Sequence, residues 1–203
     1  MDPTSANPLA GPLADPLAGP RVRLRPLRQE DLDVFEGWGE HRAGLWGPHQ
    51  RYQLDHVRRL REAFARTGLL DRAAAVLLVE TVADKRPVGF VRYTMTPYPD
   101  ADCAWPDIGF GIGAEADRGK GYATEAVGLL VDYLFSTFPV ERVGAATDAA
   151  NEPSRRLLEK LGFRREGVLR RASFRDGAWR DLVLYGLLRP TWARRRRRTP
   201  AER

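Results

Sequence analysis

Asp107-Ile-Gly-Phe-Gly-Ile-Gly113 runs through Ala114-Glu-Ala-Asp117 into Arg118-Gly-Lys-Gly-Tyr-Ala-Thr124, and the rest of the chain is organised around this stretch. A short strand feeds a turn carrying Arg118, Gly119, Lys120 and Gly121, and the turn opens directly into an apolar helix pattern. The first turn of a helix leaves backbone N–H groups without intrahelical acceptors and holds the positive end of the helix dipole. Glycines let a ligand approach those amides, and the two cations add full charges beside them. The expected guest is a phosphate or pyrophosphate.

Two nucleotide motifs fail on this stretch. A Walker A loop requires G-x-x-x-x-G-K-[ST], but Ala114 stands five before Gly119 and Gly121 follows Lys120. A dinucleotide fingerprint can be laid on Gly109, Gly111 and Ala114 with Asp132 as the ribose acid, but its glycines sit within the strand and Glu115 to Arg118 intervene before the helix. What remains is R-x-x-G-x-A, met by Arg118, Gly121 and Ala123.

Downstream, the helix from Gly121 to about Thr137 aligns Ala123, Val127, Leu130 and Leu134 on one stripe. Glu141 to Thr147 reads as a strand. Asn151 caps a helix that tolerates Pro153 in its first turn, buries Leu157, Leu158 and Leu161, and ends at Gly162. Phe163 to Phe174 and Trp179 to Leu188 flank the hairpin signal Asp176-Gly177.

Upstream, order is expected to begin at the alternating strand Arg21 to Leu27. A helix opening at Gln29-Glu-Asp31 carries Leu32, Phe35 and Trp38, and a second runs from Leu54 to Arg66. Between them lies an aromatic, glycine-rich loop with Trp46, His49 and Tyr52. Ala73 to Val82 and Arg86 to Thr96 form an antiparallel pair across Asp84-Lys85. The element order is β, two helices, three strands, helix, strand, helix, two strands.

The chain has 203 residues, 43% of them hydrophobic and 30% charged, which suits one globular domain. No apolar run is long enough to span a membrane and the N-terminus lacks a signal-peptide pattern, so the cytoplasm is the expected location. One cysteine, Cys103, excludes an internal disulfide and a cysteine-cluster metal site, and no metal is expected. The net charge of +6 is concentrated at one end: without Arg194 to Arg203 the chain holds 27 basic and 26 acidic residues. Residues 1–20 contain a Pro-Leu-Ala repeat expected to be a disordered arm, residues 21–192 the domain, and residues 193–203 an arginine-rich tail with a solvated, frayed end. Contact with nucleic acid is expected only weakly, through that tail.

Five ordered blocks resemble the GCN5-related N-acetyltransferase (GNAT) superfamily: Gly119 to Ala126, Asn151-Glu-Pro-Ser154, Leu158 to Phe163, Glu166 to Leu169, and Asp176 to Tyr185. They are most similar to the branch containing ribosomal-protein N-terminal acetyltransferases. The resemblance covers Arg21 to about Trp192 and implies an α/β (α+β) fold. Its seven-stranded, mostly antiparallel mixed sheet is splayed between the fourth and fifth strands and flanked by about four helices. It also implies acetyl-coenzyme A as cosubstrate, a primary amine as acceptor (a peptide N-terminus or a small molecule), direct transfer in a ternary complex, and a monomer or homodimer.

Carried over residue by residue, the resemblance assigns backbone contacts with the cofactor to Ile112 and Gly113, either of whose amides could stabilise the oxyanion. Arg118, Gly119, Lys120, Gly121, Tyr122 and Ala123 fall at the pyrophosphate, and Asn151 and Ser154 near the pantetheine and sulfur. An amine of pKa about 8 to 10.4 is mostly protonated at neutral pH, so a base must take its proton. Asp107 is the first candidate and Glu80 the second. Many relatives place a tyrosine near the departing thiolate, where this chain has Ser154, a weak acid that can still donate a hydrogen bond. Trp46, His49 and Tyr52 are candidates for lining the acceptor pocket; His41, His56 and Cys103 lack an evident role. The alternatives are a non-catalytic acyl-coenzyme A-binding module and a ribosome or RNA binder led by the arginine tail.

Overall fold

The computed structural model describes residues 15–39, 56–97, 103–175 and 177–198. Seven strands form one sheet in the order β1-β2-β3-β4-β5-β7-β6. They are β1 (Val22–Pro26), β2 (Ala74–Thr81), β3 (Pro87–Thr96), β4 (Trp105–Ile112), β5 (Arg142–Asp148), β6 (Arg164–Arg175) and β7 (Ala178–Leu188). Every neighbouring pair is antiparallel except β4 with β5. The helices are α1 (Asp31–Gly39), α2 (His56–Thr67), α3 (Tyr122–Thr137), α4 (Glu152–Lys160) and α5 (Arg189–Arg198).

The β4–β5 pairing is confined to Asp107↔Gly144 and Ile108↔Ala145. Beyond those two rungs β4 continues to Ile112 and β5 to Asp148, each paired only on its outer side. A parallel pair whose ladder stops after two rungs opens a wedge at its C-terminal end. This is the splay expected between the fourth and fifth strands.

Each sheet face has its own apolar cluster. One joins α3 and α4 to the sheet through Val91, Tyr93, Ile108, Val143, Ala145, Val183, Tyr185 and Leu187. From α3 it buries Ala126, Val127, Leu130, Val131, Leu134 and Phe135, a wider stripe than the four expected positions, of which Ala123 is only half-buried. Fully burying one leucine contributes about 1.5–3 kcal/mol, so Leu130 and Leu134 anchor this helix. On the other face, Leu27, Leu32, Phe35 and Leu78 pack with Trp38, Leu60, Phe64 and Phe90, which seats α1 and α2 over β2 and β3.

Two features depart from the sequence-based expectation. The arm expected to stay disordered through Pro20 is folded from Asp15: Ala18 bridges Arg23, the Leu24 N–H donates to the Leu17 carbonyl at 2.8 Å, and Leu17 packs on the core. The tail expected to fray continues as α5 to Arg198, the fifth helix among the described residues where about four were expected. Arg189 donates to the carbonyls of Phe135, Phe138 and Val140 at the end of α3. Trp192 stacks on Phe135 with centroids 5.0 Å apart and donates from Nε1 to Asp132. A run of arginines reads as solvated polymer in sequence, but the tryptophan before it ties the helix down.

Candidate active site

Gly121 is the N-cap of α3 in the left-handed region at φ +81 and offers no side-chain acceptor. The first-turn amides therefore lack the usual capping partner and remain donors for an anion. Gly119 also has positive φ, +76, with open space where a side chain would stand. Two left-handed residues in three present successive N–H groups on one concave side.

Ion pairs hold this turn from both flanks. Asp117, buried just before Arg118, receives Arg86 from the end of the β2–β3 turn at 2.6 and 2.9 Å. Hydrogen bonding by Arg86, with help from Lys120, holds the Asp117 carboxyl below its ordinary value despite burial. Lys120 Nζ lies 3.2 Å from Asp117 Oδ1. The cation expected to face a pyrophosphate is thus folded back onto the turn's own carboxylate. On the other flank, Arg21 donates from Nη1 to the Lys120 carbonyl at 2.8 Å and from Nε to Glu125 at 2.7 Å. The backbone N–H groups of Arg21 and Val22 also donate to Glu125 Oε1.

At the splay, the two amides expected near the thioester differ. The Gly113 N–H donates to the Val88 carbonyl at 3.0 Å and is taken. Gly113 instead lies against Trp38 of α1, whose indole occupies the place of any side chain there. The Gly111 carbonyl turns toward β3, close to Gly89. In a planar trans peptide the Ile112 N–H points the opposite way, into the splay. The Ile112 N–H therefore faces the splay, whereas the Gly113 N–H is spent on β3.

Asp107 stands where the β4–β5 pairing begins, half-buried on the face opposite α3. Its carboxyl and the Trp105 indole lean over Gly144, which leaves them room. Burial raises the Asp107 carboxyl above its ordinary value, against the pull of Arg92 and Arg142. Arg92 lies across Gly109. The Arg142 guanidinium sits 5.0 Å over the Trp105 ring and pairs with Glu166, while its buried Nε has no acceptor among the described residues. A carboxylate with raised proton affinity and two flanking guanidiniums was not visible as a unit in sequence, because β3, β4 and β5 each contribute one member.

Glu80 is a different kind of carboxylate. It is buried and accepts from Arg23 at 2.6 Å and from Arg25 at 2.7 Å. Burial pushes it up, but the two arginines win and hold it below its ordinary value. It lies six residues along β2 from Ala74, which aligns through Thr94 with Asp107, a strand-wise offset of roughly 20 Å. Glu80 is a structural ion-pair centre and is not a candidate base. Ser154 and Asn151 stand together at the start of α4, where the Ser154 N–H donates to Asn151 Oδ1 at 3.2 Å. Asn151 is thus the expected cap, and that bond uses the Ser154 amide and not its half-buried hydroxyl. Trp46, His49 and Tyr52 lie outside the described residues.

The sequence profile of the acetyltransferase (GNAT) domain matches residues 21–164. The chain belongs to this family. As a GNAT-family chain it is 37% identical to the N-acetyltransferase p20 of Bacillus licheniformis, over 85% of its own length and 96% of that protein. It is 36% identical to the ribosomal protein uS5 alanine N-acetyltransferase of Escherichia coli, over 42% of this chain and 43% of that one. The chain spans less than half the length of several curated relatives it matches. Among solved structures, the Vibrio cholerae spermidine N-acetyltransferase in complex with coenzyme A and spermine superposes with a TM-score of 0.70 at 23% identity, over 85% of this chain and 98% of that one. At that identity the likeness speaks for the GNAT fold alone. Among the described residues no helix is long and apolar enough to cross a membrane.

Proposed function

We propose that this GNAT-family chain transfers the acetyl group of acetyl-coenzyme A to the α-amine of a peptide or protein N-terminus. The cofactor assignment is supported by the fit of three features: the uncapped turn at Gly121, the Ile112 N–H facing the splay, and the paired Asn151 and Ser154. Arg118 to Ala123 would hold the pyrophosphate, chiefly through backbone amides because Lys120 is engaged by Asp117. Bound there, the cosubstrate supplies an acetyl thioester as the electrophile.

The chain's own residues do the rest. Asp107 takes the proton from the acceptor ammonium, a task suited to a carboxyl whose proton affinity burial has raised. The Ile112 N–H is the donor for the carbonyl oxygen as negative charge develops on it. Ser154 donates a hydrogen bond toward the sulfur.

The observation that carries the choice of acceptor is the pair of guanidiniums, Arg92 and Arg142, whose charge acts on Asp107. A peptide α-amine brings its own carbonyl oxygen a few atoms away, whereas a polyamine brings only further positive charge between Arg92 and Arg142. The Escherichia coli relative that acts on a ribosomal-protein alanine supports the same class.

Thiol release from acetyl-coenzyme A is the test, run across peptides with free N-termini, spermidine and an aminoglycoside. Saturable release with peptides and the least with spermidine is expected. Release with spermidine alone would transfer the site to polyamines. A coenzyme A-binding module without turnover is a second reading, favoured by serine where many relatives have tyrosine; binding of acetyl-coenzyme A with no release on any amine would select it.

A further inference from the structure

We propose that the groove between α5 and the end of α4 binds the phosphodiester backbone of single-stranded nucleic acid. It is an open cavity of about 640 Å³ whose lining includes Arg164, Arg194, Arg195 and Arg197 against one acid, Glu159. Three arginines of the tail therefore line a concave surface on a folded element, with Arg164 of β6 beside them.

The arginines are held in place before any ligand arrives. Trp192 and Arg189 fasten the helix through Asp132, Phe135, Phe138 and Val140. Arg195 donates to the Lys160 carbonyl at 2.7 Å and lies across Gly162, which has φ +93 and no side chain to obstruct it. It thereby neutralises the carbonyl end of α4, where bare helix polarity would repel an anion. Arg194 and Arg197 are three residues apart on one helical face and both line the groove.

The lining also selects between polyanions. Phe163 is buried beneath the groove, so among the described lining residues no exposed apolar side chain stands ready to anchor an acidic peptide and no exposed ring stacks a base. Guanidinium forks match phosphate oxygens without either. Recognition is consequently blind to sequence and strongly dependent on salt.

The full-length chain is titrated into fluorescein-labelled oligouridylate, and separately into labelled polyglutamate of equal charge, over a range of sodium chloride concentrations. Binding of oligouridylate that weakens with salt is expected, and the variant Arg194→Ser/Arg197→Ser lowers affinity about tenfold at low salt. Its log–log salt slope shrinks by about 1.4, two phosphates at about 0.7 each. The charge-preserving Arg194→Lys/Arg197→Lys keeps the slope, which separates loss of charge from loss of fold. No binding by the wild type, an unchanged slope in the serine variant, or equal affinity for polyglutamate would each overturn the proposal.

Discussion

Arg86 and Asp117 are joined by two hydrogen bonds of 2.6 and 2.9 Å, and the pair fastens the β2–β3 turn to the residue immediately before the glycine turn of α3. Asp117 is buried and Arg86 half-exposed. Removing the arginine therefore leaves a buried carboxylate with Lys120 as its remaining ion-pair partner among the described residues. Arg86→Ala is expected to cost about 1.5–3 kcal/mol of stability, measured by urea unfolding, and to weaken acetyl-coenzyme A binding. Asp117 has a lowered folded pKa, so its contribution is present above the unfolded value and lost as pH falls through the folded one. Arg86→Ala should remove part of that acid sensitivity; an unfolding curve with unchanged pH dependence would contradict the role given to the pair.

Asp107 has the opposite sign. Its carboxyl is raised in the fold, so its linkage favours the folded chain at low pH, and that contribution is lost as pH rises through the folded pKa. Asp107→Asn should leave the protein as stable or slightly more stable at neutral pH, with the difference vanishing in acid. The same substitution should lower kcat by about 10²–10⁴ and remove the acidic limb of the pH–rate profile. Retention of that limb in the asparagine variant would assign the base elsewhere.

The two turn glycines should respond unequally. Each has positive φ, so alanine costs about 1–2 kcal/mol of backbone strain at either position. A Cβ at Gly119 meets open space, whereas one at Gly121 comes within 2.8 Å of the Arg21 guanidinium. Gly121→Ala should weaken acetyl-coenzyme A binding more than Gly119→Ala, as read by calorimetry. Equal losses would mean that Arg21 does not brace the turn.

Arg142→Ala removes one of the two guanidiniums whose charge acts on Asp107, and under the proposed function this is a change on the acceptor side of the site. A rise in KM for peptides with little change in KM for acetyl-coenzyme A is expected, together with a relative gain for spermidine. A uniform fall in kcat on every amine would instead make Arg142 structural.

Much of the fold was legible because its signals are local. The glycine turn, the Asn151 cap, the alternating strands and the order of elements all lie within short windows, and the observed elements fall close to the expected ones. The ordered Asp15 to Pro20 segment was not legible, since its stability comes from Leu17 packing on a distant core and from Glu125 gripping the following backbone. The α5 helix was hidden by its arginines, because the anchoring partners Asp132 and Phe135 lie far back in the sequence. Within the site, the glycine turn could be read, but the fate of each charge could not. Lys120 is folded onto Asp117, Glu80 is held by Arg23 and Arg25, and Asp107 is flanked by Arg92 and Arg142. The last two outcomes depend on which strands become neighbours, and no single stretch of sequence encodes that; the first is a local contact three residues apart, but a glycine motif does not say which way a lysine side chain turns.

Acetyl transfer to a peptide α-amine is tested most directly by mass spectrometry of the product. The full-length chain is incubated with acetyl-coenzyme A and a peptide that carries both a free N-terminus and an internal lysine. One acetyl group on the α-amine, with the lysine unmodified and no product from Asp107→Asn, is the predicted result. Unmodified peptide, or acetyl on the lysine alone, would contradict it.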